Sequence, residues 1–357
     1  MHEAPTTEDV LDLFEYADQL RYGELHLTAD PELGLHAIVA IHNLKRGPAI
    51  GGCRFIEYNS TDDALQDAMR LARGMTYKAA ISGLDHGGGK AVIVRPPNLT
   101  DSQRQGIFER YGAFVDGLNG KYITCEDSGT GVPDMDTVAT QTDHVLGTSA
   151  EEGGSGDPSP FTAFGVRRGI QAAVKHYYDR DDLEDIHVAI QGVGHVGYHL
   201  AHELHELGAD LTVTDVDEAA VNRCVEEFGA DRVAPESVFD VDCDLFAPCA
   251  LGAVLNDDTI PRLKCDIVAG ASNNQLAQPR HDVMLMERDI LYAPDYALNA
   301  GGLINVAEEY TGYAADTARA KTSKIYDTML EIFERSGAEG VATGLIADRI
   351  VDEMLYE

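Results

Sequence analysis

The chain has 357 residues, of which 44% are hydrophobic, and this length and composition suit two folded domains with sizeable buried cores. Its 61 acidic residues against 27 basic ones give a formal net charge of −34, which repels nucleic acid and anionic membrane and excludes both as partners. No run of about 18 apolar residues occurs, and the acidic N-terminus lacks the order of a signal peptide, so we expect a cytoplasmic protein. Because the acidic residues are scattered over many segments, we also expect a source organism adapted to high salt.

The first half of the chain shows strand and helix patterns that lead to a linker. In chain order they are a strand at about 35–42, a helix over 59–78 with Ser60 and Thr61 as cap candidates, a strand in "KAVIVRPP" that Pro96 and Pro97 end, and a helix over 100–118. The segment "SAEEGGSGDPSP", residues 149–160, has the clearest linker composition. The sequence therefore predicts a first domain over residues 1–149.

Beyond the linker, strand and helix patterns alternate regularly. A helix opened by Ser159 and Pro160 is followed by the buried strand "IHVAIQ", a helix over 194–208, the strand "DLTVTD" and further short strands in "CDLFAP", "CDIVAG" and "DILYAP". This alternation favours a parallel, doubly wound sheet in a second domain over 150–321. The helical C-terminal segment, residues 322–357, is expected to pack back on the first domain.

The cysteines and histidines predict neither a disulfide framework nor a metal site. The six cysteines form no C-x-x-C pair, which in a chain of this size indicates buried thiols in a reducing compartment. They are Cys53, Cys125, Cys224, Cys243, Cys249 and Cys265. Four histidines share helical spacing without a matching carboxylate or cysteine geometry, so we expect them to line a helix face near an interface. They are His195, His199, His202 and His205.

Two lysines lie in the glycine-rich segment "GMTYKAAISGLDHGGGK", residues 74–90. A phosphate-binding loop of the Walker A type would need a glycine at position 84 and a hydroxyl residue at position 91. Those positions hold Leu84 and Ala91, so the segment is not such a loop. The chain has few lysines, and Lys78 and Lys90 in this apolar setting therefore need an explanation other than solvated surface charge.

A dinucleotide-binding motif follows the strand "IHVAIQ". Gly192, Gly194 and Gly197 form G-x-G-x-x-G at the point where the strand ends and a helix opens. The first glycine allows the tight turn, the second lets the backbone approach a pyrophosphate, and the third lets helix and strand pack closely. Asp215 ends the next strand, where a carboxylate accepts from ribose hydroxyls and would repel a 2′-phosphate. The motif therefore predicts a Rossmann-type domain that binds NAD rather than NADP.

The chain resembles the glutamate/leucine/phenylalanine/valine dehydrogenases over nearly its whole length and is most similar to the leucine and phenylalanine branch. The matching blocks are "GPAIGGCR", "GMTYKAA", "GLDHGGGK", "YITCEDSGT", "SGDPSPFTAFGV", "QGVGHVG", "FAPCALGAVLN", "ASNNQL" and "APDYALNAGGLINV". The resemblance implies an α/β chain in which an N-terminal substrate and dimerisation domain and the NAD domain flank a cleft. It also implies a homo-oligomer.

The resemblance also assigns catalytic roles. Lys78 would hold the substrate carboxylate, Lys90 would be the general base that activates water, and Asp127 would exchange protons with the substrate nitrogen. The carbonyl of Gly51 would accept from the substrate amine, and Asn274 would position the amine and the nicotinamide ribose. The small residues beside Lys90 would let substrate and nicotinamide approach it. Cofactor contacts would come from Gly192, Val193, Gly194, His195, Val196, Gly197, Asp215, Asn274 and Asn299.

The side-chain pocket is expected to be apolar. Where the glutamate branch has a lysine and a serine for the side-chain carboxylate, this chain has Ile50 and Val306, so glutamate would be buried without a partner. The other pocket positions are Met75, Cys125, Leu146 and Leu303. Leu303 favours phenylalanine and Cys125 favours smaller aliphatic substrates, so leucine and other branched-chain amino acids are the first expectation and phenylalanine is the alternative.

Two further hypotheses stay open at the level of sequence. A hydroxy-acid dehydrogenase would need a histidine or arginine as acid and base and would leave both lysines unused. A catalytically silent NAD-binding regulatory protein would not need Lys78, Lys90 and Asp127 together. The favoured reaction is reversible oxidative deamination of an amino acid to a 2-oxo acid and ammonium.

Overall fold

The computed structural model describes residues 12–149 and 154–357. The chain divides into two compact units between Gly156 and Asp157, within the segment whose composition predicts a linker. Each unit has its own sheet. None of the helices in these described ranges combines the length and the apolar character that a membrane crossing requires.

The first unit is built on a five-stranded sheet with the order β1-β2-β4-β3-β5. The two pairings that β2 makes are antiparallel, whereas β3 pairs in parallel with both β4 and β5. The strands are β1 Glu24–Asp30, β2 Leu35–Asn43, β3 Ala49–Ile56, β4 Gly87–Val94 and β5 Tyr122–Glu126. The helices are α1 Leu13–Leu20, α2 Thr61–Ile81, α3 Asp101–Asp116 and α4 Val132–Ala139.

Both faces of this sheet are covered, which explains the continuous burial along β2. Alternate residues of β2 pack on opposite faces: Val39 joins the core that α3 completes with Phe108, whereas Ala40 joins the core that α2 completes with Ala68. A strand buried on both faces has a nearly continuous apolar sequence. The strand predicted at 35–42 is therefore confirmed.

Helix α2 begins where its capping residues predict. The Ser60 side chain accepts a hydrogen bond from the backbone N–H of Asp63 at 3.1 Å, and Asp62 and Asp63 place negative charge in the first turn. The strand after it differs from the prediction, because β4 begins at Gly87 and includes all three glycines.

The second unit is a parallel six-stranded sheet with the order β11-β10-β9-β6-β7-β8. The strands are β6 His187–Gln191, β7 Asp210–Thr214, β8 Asp231–Arg232, β9 Leu245–Pro248, β10 Ile267–Val268 and β11 Leu291–Tyr292. The helices are α5 Ser159–Tyr178, α6 His195–His205, α7 Glu218–Phe228, α8 Arg280–Met286, α9 Asp295–Leu298, α10 Gly301–Ala307, α11 Ala315–Ser323, α12 Ile325–Glu339 and α13 Thr343–Tyr356. The predicted doubly wound sheet is confirmed, and its order reverses between β6 and β9, where such sheets bind ligands.

The C-terminal segment, residues 322–357, belongs to the second compact unit, and its expected packing on the first domain stays a prediction. Helix α12 packs against α5: the rings of Phe333 and His176 lie 5.5 Å apart, and a Cβ on Gly169 would lie 3.3 Å from Cγ of Met329. Helix α13 is joined to α8 by the backbone N–H of Gly344, which donates to Asp282 at 2.8 Å. The apolar face of the segment is therefore buried within its own unit.

Candidate active site

Lys90 and Asp127 form an ion pair that crosses a strand. Lys90 lies on β4 and Asp127 follows β5, and β3 runs between those two strands. The Lys90 Nζ atom lies 2.9 Å from Oδ2 of Asp127, and the lysine side chain is only 6% exposed. The crossing passes Gly52, where a Cβ would lie 2.7 Å from Cβ of Asp127 and 3.2 Å from Nζ of Lys90. Gly52, which the sequence analysis did not select, makes room for the pair.

A second cation binds the same carboxylate oxygen. The Arg54 Nε atom donates to Oδ2 of Asp127 at 3.0 Å. Burial raises the pKa of Asp127, but the charges of Lys90 and Arg54 and their hydrogen bonds outweigh it and hold that pKa below its usual value. The backbone N–H of Asp127 also donates to Oγ1 of Thr130 at 2.8 Å, which fixes the turn that carries the carboxylate. Asp127 is therefore a carboxylate at neutral pH. Arg54 was also missed, although it ends the "GPAIGGCR" block.

A Cβ added at any of the three glycines before Lys90 would point into neighbouring protein atoms. A Cβ on Gly87 would overlap the carbonyl oxygen of Asn43, and a Cβ on Gly88 would overlap the backbone nitrogen of Thr76. One on Gly89 would lie 2.7 Å from Cδ2 of Tyr122. The expected role of these glycines, space for substrate and nicotinamide, is therefore corrected. They allow helix α2, a neighbouring strand and a tyrosine ring to approach β4.

Lys78 lies on the helix that this close approach positions. It is in the last turn of α2, two residues after Thr76, and it is partly buried. Because Gly88 contacts Thr76, the position of α2 relative to β4 is fixed close to the turn that carries Lys78. The structure thus places both lysines in the first unit, on two elements in direct contact.

The Gly51 carbonyl is ordered by a buried tyrosine. The hydroxyl of Tyr122, which is fully buried, donates to the Gly51 oxygen at 2.6 Å. Of the four predicted pocket residues in this unit, Ile50 and Leu146 are buried, whereas Met75 and Cys125 are partly exposed. Leu146 is tied to β5, since its backbone N–H donates to the Thr124 carbonyl at 2.8 Å.

In the second unit, the three motif glycines have the surroundings that the motif predicts. Gly192 has a φ of +94°, a conformation that favours glycine in a tight turn. Gly194 has no atom within 4 Å of an added Cβ, so this side of the loop is open. A Cβ on Gly197 would overlap the Gly192 carbonyl, which shows how closely α6 packs on the loop. His195 and Val196 begin α6, where backbone N–H groups have no partner in the helix.

Asp215 follows β7 and contacts the glycine loop directly. Its Oδ2 atom accepts from the backbone N–H of Val193 at 2.8 Å, and its Oδ1 atom accepts from that of Asp217 at 3.0 Å. Val216 beside it is 90% exposed, and Leu251, after β9, is 80% exposed. Large apolar side chains at such exposure beside a glycine loop fit a flat apolar ligand group. Composition gives no signal for these two residues, because only the strand order brings them to this edge.

Buried polar atoms near the carboxyl ends of the strands also fit a bound dinucleotide. Among the described residues, no hydrogen-bond partner exists for Oε1 of Gln191, Oγ1 of Thr214 or Oγ of Ser272. Gln191 ends β6, directly before the turn that begins with Gly192. Thr214 ends the neighbouring strand β7 and pairs with Gln191. Buried polar groups usually find partners, so these atoms suit a ligand that carries hydroxyl and amide groups.

The remaining predicted residues lie on and before α10. Asn299 is buried, and its Nδ2 atom donates to the Ala271 carbonyl at 3.0 Å and to Oδ1 of Asn273 at 2.8 Å. It therefore orders the loop that carries Asn274, which is exposed and has a φ of +52°. Leu303 and Val306 lie three residues apart on α10 and are partly exposed, so they share one face of that helix.

The structure shows no metal-binding group in the ranges that it describes, where no cluster of three His, Cys, Asp or Glu residues could hold an ion. All six cysteines are free thiols. The rings of His202 and His205 lie 5.7 Å and 5.5 Å from that of Phe228, so these two histidines pack on α7. The interface expected beside this helix face stays a prediction.

Two family models match the two parts of the chain. The model described as the Glu/Leu/Phe/Val dehydrogenase dimerisation domain matches residues 24–144. The model described as glutamate/leucine/phenylalanine/valine dehydrogenase matches residues 153–223 and 213–343. The chain belongs to this dehydrogenase family. The resemblance seen in the sequence blocks and the predicted α/β fold class are thereby confirmed.

Individual relatives cover nearly the whole chain. A leucine dehydrogenase of Geobacillus stearothermophilus is 49% identical over 97% of this chain and 94% of its own length. A valine dehydrogenase of Streptomyces coelicolor is 45% identical over 98% of this chain and 96% of its own. The crystal structure of an L-tryptophan dehydrogenase from Nostoc punctiforme is 41% identical and superposes with a TM-score of 0.87, covering 96% of this chain and 98% of that one. The protein is an amino-acid dehydrogenase, an oxidoreductase that acts on small molecules.

Proposed function

We propose that the protein catalyses the reversible, NAD-dependent oxidative deamination of leucine and other branched-chain L-amino acids. The observation that carries this proposal is the ion pair of the buried Lys90 with the partly buried Asp127, with Lys78 on the adjoining helix. A regulatory protein that only binds NAD has no need of a desolvated lysine and carboxylate pair. The first unit would bind the amino acid and the second unit would bind NAD.

The residues of the first unit account for the chemistry. Lys78 would hold the substrate carboxylate as a point charge. The Gly51 carbonyl, which the hydroxyl of Tyr122 orders, would accept from the substrate amine. When bound, NAD would supply the acceptor for the hydride that leaves the substrate Cα, and the substrate would become an iminium.

Lys90 would then take a proton from water, which adds to the iminium carbon. Asp127 would keep Lys90 in place and exchange a proton with the substrate nitrogen, after which the carbinolamine collapses to the 2-oxo acid and ammonium. Asp127 is ionised beside Lys90, because the charges of Lys90 and Arg54 hold the pKa of Asp127 below its usual value. The reverse sequence is reductive amination.

The second unit offers a site that fits NAD. The N-terminus of α6 would face the pyrophosphate and Gly194 would allow its close approach. Asp215 would accept from the adenosine ribose and repel a 2′-phosphate. Val216 and Leu251 would flank the adenine. Asn274, in the loop that Asn299 orders, would contact the nicotinamide ribose.

The preference for a branched-chain substrate rests on apolar residues at positions where the side-chain carboxylate of glutamate would need hydrogen-bond donors. Ile50 and Val306 offer no hydrogen bond to a side-chain carboxylate, and burying an unpaired carboxylate costs at least several kcal/mol. Relatives named leucine and valine dehydrogenases support small aliphatic substrates. Phenylalanine is the second candidate, because Leu303 is typical of that branch. The match to a dimerisation domain supports a homo-oligomer.

A substrate panel tests this function directly. NADH formation at 340 nm is measured with each of leucine, valine, phenylalanine, tryptophan and glutamate, at low and high KCl and with NAD or NADP. We expect kcat/KM to be highest for leucine or valine with NAD, and at least about 100-fold lower for glutamate, as an unpaired polar group predicts. Absence of NADH formation with every amino acid would refute the proposal.

The role of Lys90 is tested by Lys90→Ala. We expect kcat to fall by at least about 1000-fold, the upper part of the range for loss of a general base, with NADH binding unchanged. Lys175→Ala is the matched control, because Lys175 pairs with Asp179 at the surface of α5 and should leave kcat unchanged. Normal turnover by Lys90→Ala would exclude Lys90 as the base.

A further inference from the structure

The Asp127 carboxylate is held by a residue that itself connects two carboxylates. Arg54, on β3, donates from Nε to Oδ2 of Asp127 at 3.0 Å and from Nη1 to Oδ2 of Asp67 at 2.7 Å. The side chains of Arg54 and Asp67 are 20% and 14% exposed. One planar guanidinium thus uses two of its edges at once, a geometry that a lysine ammonium cannot reproduce.

Asp67 is fixed in turn on helix α2. The hydroxyl of Tyr58 donates to its Oδ2 atom at 2.7 Å, and Nη2 of Arg70 lies 3.1 Å from its Oδ1 atom. Burial raises the pKa of Asp67, but the hydrogen bond from Tyr58 and the charge of Arg54 outweigh it and hold that pKa below its usual value. Asp67 is therefore an ionised anchor, and Arg54 has one preferred orientation.

Other titratable groups reach Asp127 from the neighbouring strands. Lys90 contributes the second cation from β4. Cys53 on β3 is fully buried, and burial raises the pKa of its thiol, so it stays neutral. Cys125 lies on β5, two residues before Asp127. Lys90 and Arg54 thus bond the same oxygen of the Asp127 carboxylate.

We propose that Arg54, oriented by Asp67, is a positioning residue for the deamination, which aims the Asp127 carboxylate at Lys90 and sets the proton affinity of that pair. This proposal rests on the catalytic roles proposed above for Lys90 and Asp127. Arg54 does not contact the reacting atoms itself; it acts through Asp127. If the Arg54–Asp67 ion pair between α2 and the sheet were purely structural, it would stabilise the fold without changing the pH at which the Lys90–Asp127 pair gains a proton.

The direction of the effect follows from electrostatics. A nearby cation disfavours protonation of both a carboxylate and an amine. Removing Arg54 therefore raises the proton affinity of the Lys90–Asp127 pair, whichever member takes the proton. Since the proposed base must be free of a proton to activate water, the acid limb of kcat/KM against pH should move to higher pH.

The experiment compares wild type with Arg54→Gln, Arg54→Lys and Asp67→Asn. The pH profile of kcat/KM for deamination, the Kd of NADH and the melting temperature are measured for each full-length enzyme. We expect Arg54→Gln to shift the acid limb up by about one pH unit with NADH binding unchanged. Arg54→Lys keeps the cation and should restore the acid limb while kcat stays reduced, because it cannot hold both carboxylates. Asp67→Asn keeps the Arg54 cation but removes its anchor, so it should lower kcat without the upward shift of the acid limb seen in Arg54→Gln.

Arg70→Gln is the matched control, because Arg70 contacts the same Asp67 carboxylate but is 62% exposed and should leave the profile unchanged. An acid limb that stays in place in Arg54→Gln, whether or not its melting temperature falls, would overturn the proposal and leave Arg54 as a structural residue. An inactive wild type or an active Lys90→Ala variant would instead refute the proposed function on which this inference rests.

Discussion

At the scale of single residues, the glycine at position 52 matters as much to the proposed site as the charged residues Lys90 and Asp127. The Lys90 side chain reaches Asp127 only because Gly52 leaves the space above β3 free. An alanine there would bring its Cβ to 2.7 Å from Cβ of Asp127 and 2.8 Å from the Glu126 carbonyl, distances that real Cβ atoms do not adopt. The backbone or the ion pair must then shift.

We therefore predict that Gly52→Ala lowers kcat by at least about 100-fold, the cost of a misplaced catalytic group. Steady-state kinetics with leucine and NADH binding by fluorescence test this, and NADH binding should not change, because the glycine loop lies in the other unit. Gly337→Ala is the control for the substitution itself. Gly337 lies in α12 with no atom within 4 Å of an added Cβ, so alanine should stabilise by about 0.5–1 kcal/mol. Normal kcat in Gly52→Ala would show that the Lys90–Asp127 ion pair does not need the space that Gly52 leaves free above β3.

The sequence points to the charged members of the proposed site more readily than to the residues that position them. Lys78, Lys90 and Asp127 stand in motif blocks that a resemblance can match one by one. Gly52 and Arg54 act across three neighbouring strands, and their partners are far away in the chain: Arg54 and Asp127 are 73 residues apart. Such contacts follow from strand order, which local patterns do not determine.

At the scale of elements, the contact between α2 and β4 sets the distance between the two lysine-bearing segments. Gly88 lies directly against the backbone of Thr76, so even one methyl group has no space. We predict that Gly88→Ala destabilises the protein by about 1–3 kcal/mol, the usual cost of overpacking, and also lowers kcat/KM because α2 carries Lys78. Urea unfolding and steady-state kinetics measure the two effects. Wild-type stability in this variant would mean that α2 can move away from β4 freely.

The junction of α8 and α13 gives a pH-dependent contribution to stability. Asp282 is buried, its Oδ2 atom accepts from the backbone N–H of Gly344, and burial raises its pKa to about 6. A carboxyl whose folded pKa exceeds its unfolded value stabilises the fold at low pH, and this contribution is lost as pH rises through about 6.

The free energy of unfolding of wild type relative to Asp282→Asn should therefore fall by about 1.4 kcal/mol between pH 5 and pH 8, since one pH unit corresponds to 1.36 kcal/mol. Urea unfolding of both proteins at pH 5, 6, 7 and 8 measures the difference, in which other titrating groups cancel. A difference that stays constant or rises with pH would contradict the assignment.

Elements with strong local signals were predicted well, and their partners were not. The cap at Ser60 and the motif glycines after β6 locate α2 and α6 because capping and tight turns depend on neighbouring residues. The start of β4 was missed because glycine is a poor strand former, and only the close approach of α2 explains it. The partner of α12 has no local signal in the sequence, because an apolar helix face does not reveal which surface covers it.

At the scale of the whole molecule, the regular alternation of strands and helices was enough to predict the doubly wound sheet of the second unit. Connections between parallel strands obey a fixed handedness and leave few topologies. The first unit was predicted only as α/β, because its sheet mixes parallel and antiparallel pairs. Its strand order, which brings Lys90, Gly52 and Asp127 together, has no signature in the periodicity of the sequence.

The net charge of −34 also acts on the whole molecule. With 61 acidic residues and 27 basic ones, most carboxylates have no cation partner, so repulsion between them opposes folding. Surface ion pairs such as Arg335 with Glu353, at 2.8 Å, each contribute at most about 1 kcal/mol and cannot offset an excess of this size. Salt shortens the range of repulsion, since the Debye length falls from about 10 Å at 0.1 M to about 3 Å at 1 M.

We therefore predict that the melting temperature rises with KCl, most steeply below about 1 M, where the Debye length changes most. Differential scanning fluorimetry from 0.1 to 3 M KCl measures it. The same series in tetramethylammonium chloride is the control, because a bulky cation screens charge without binding tightly to carboxylate groups. An equal rise in both salts indicates screening, and a rise in KCl alone indicates bound potassium ions. A melting temperature that falls steadily with salt would show that the surface ion pairs stabilise the fold more than the acidic excess destabilises it.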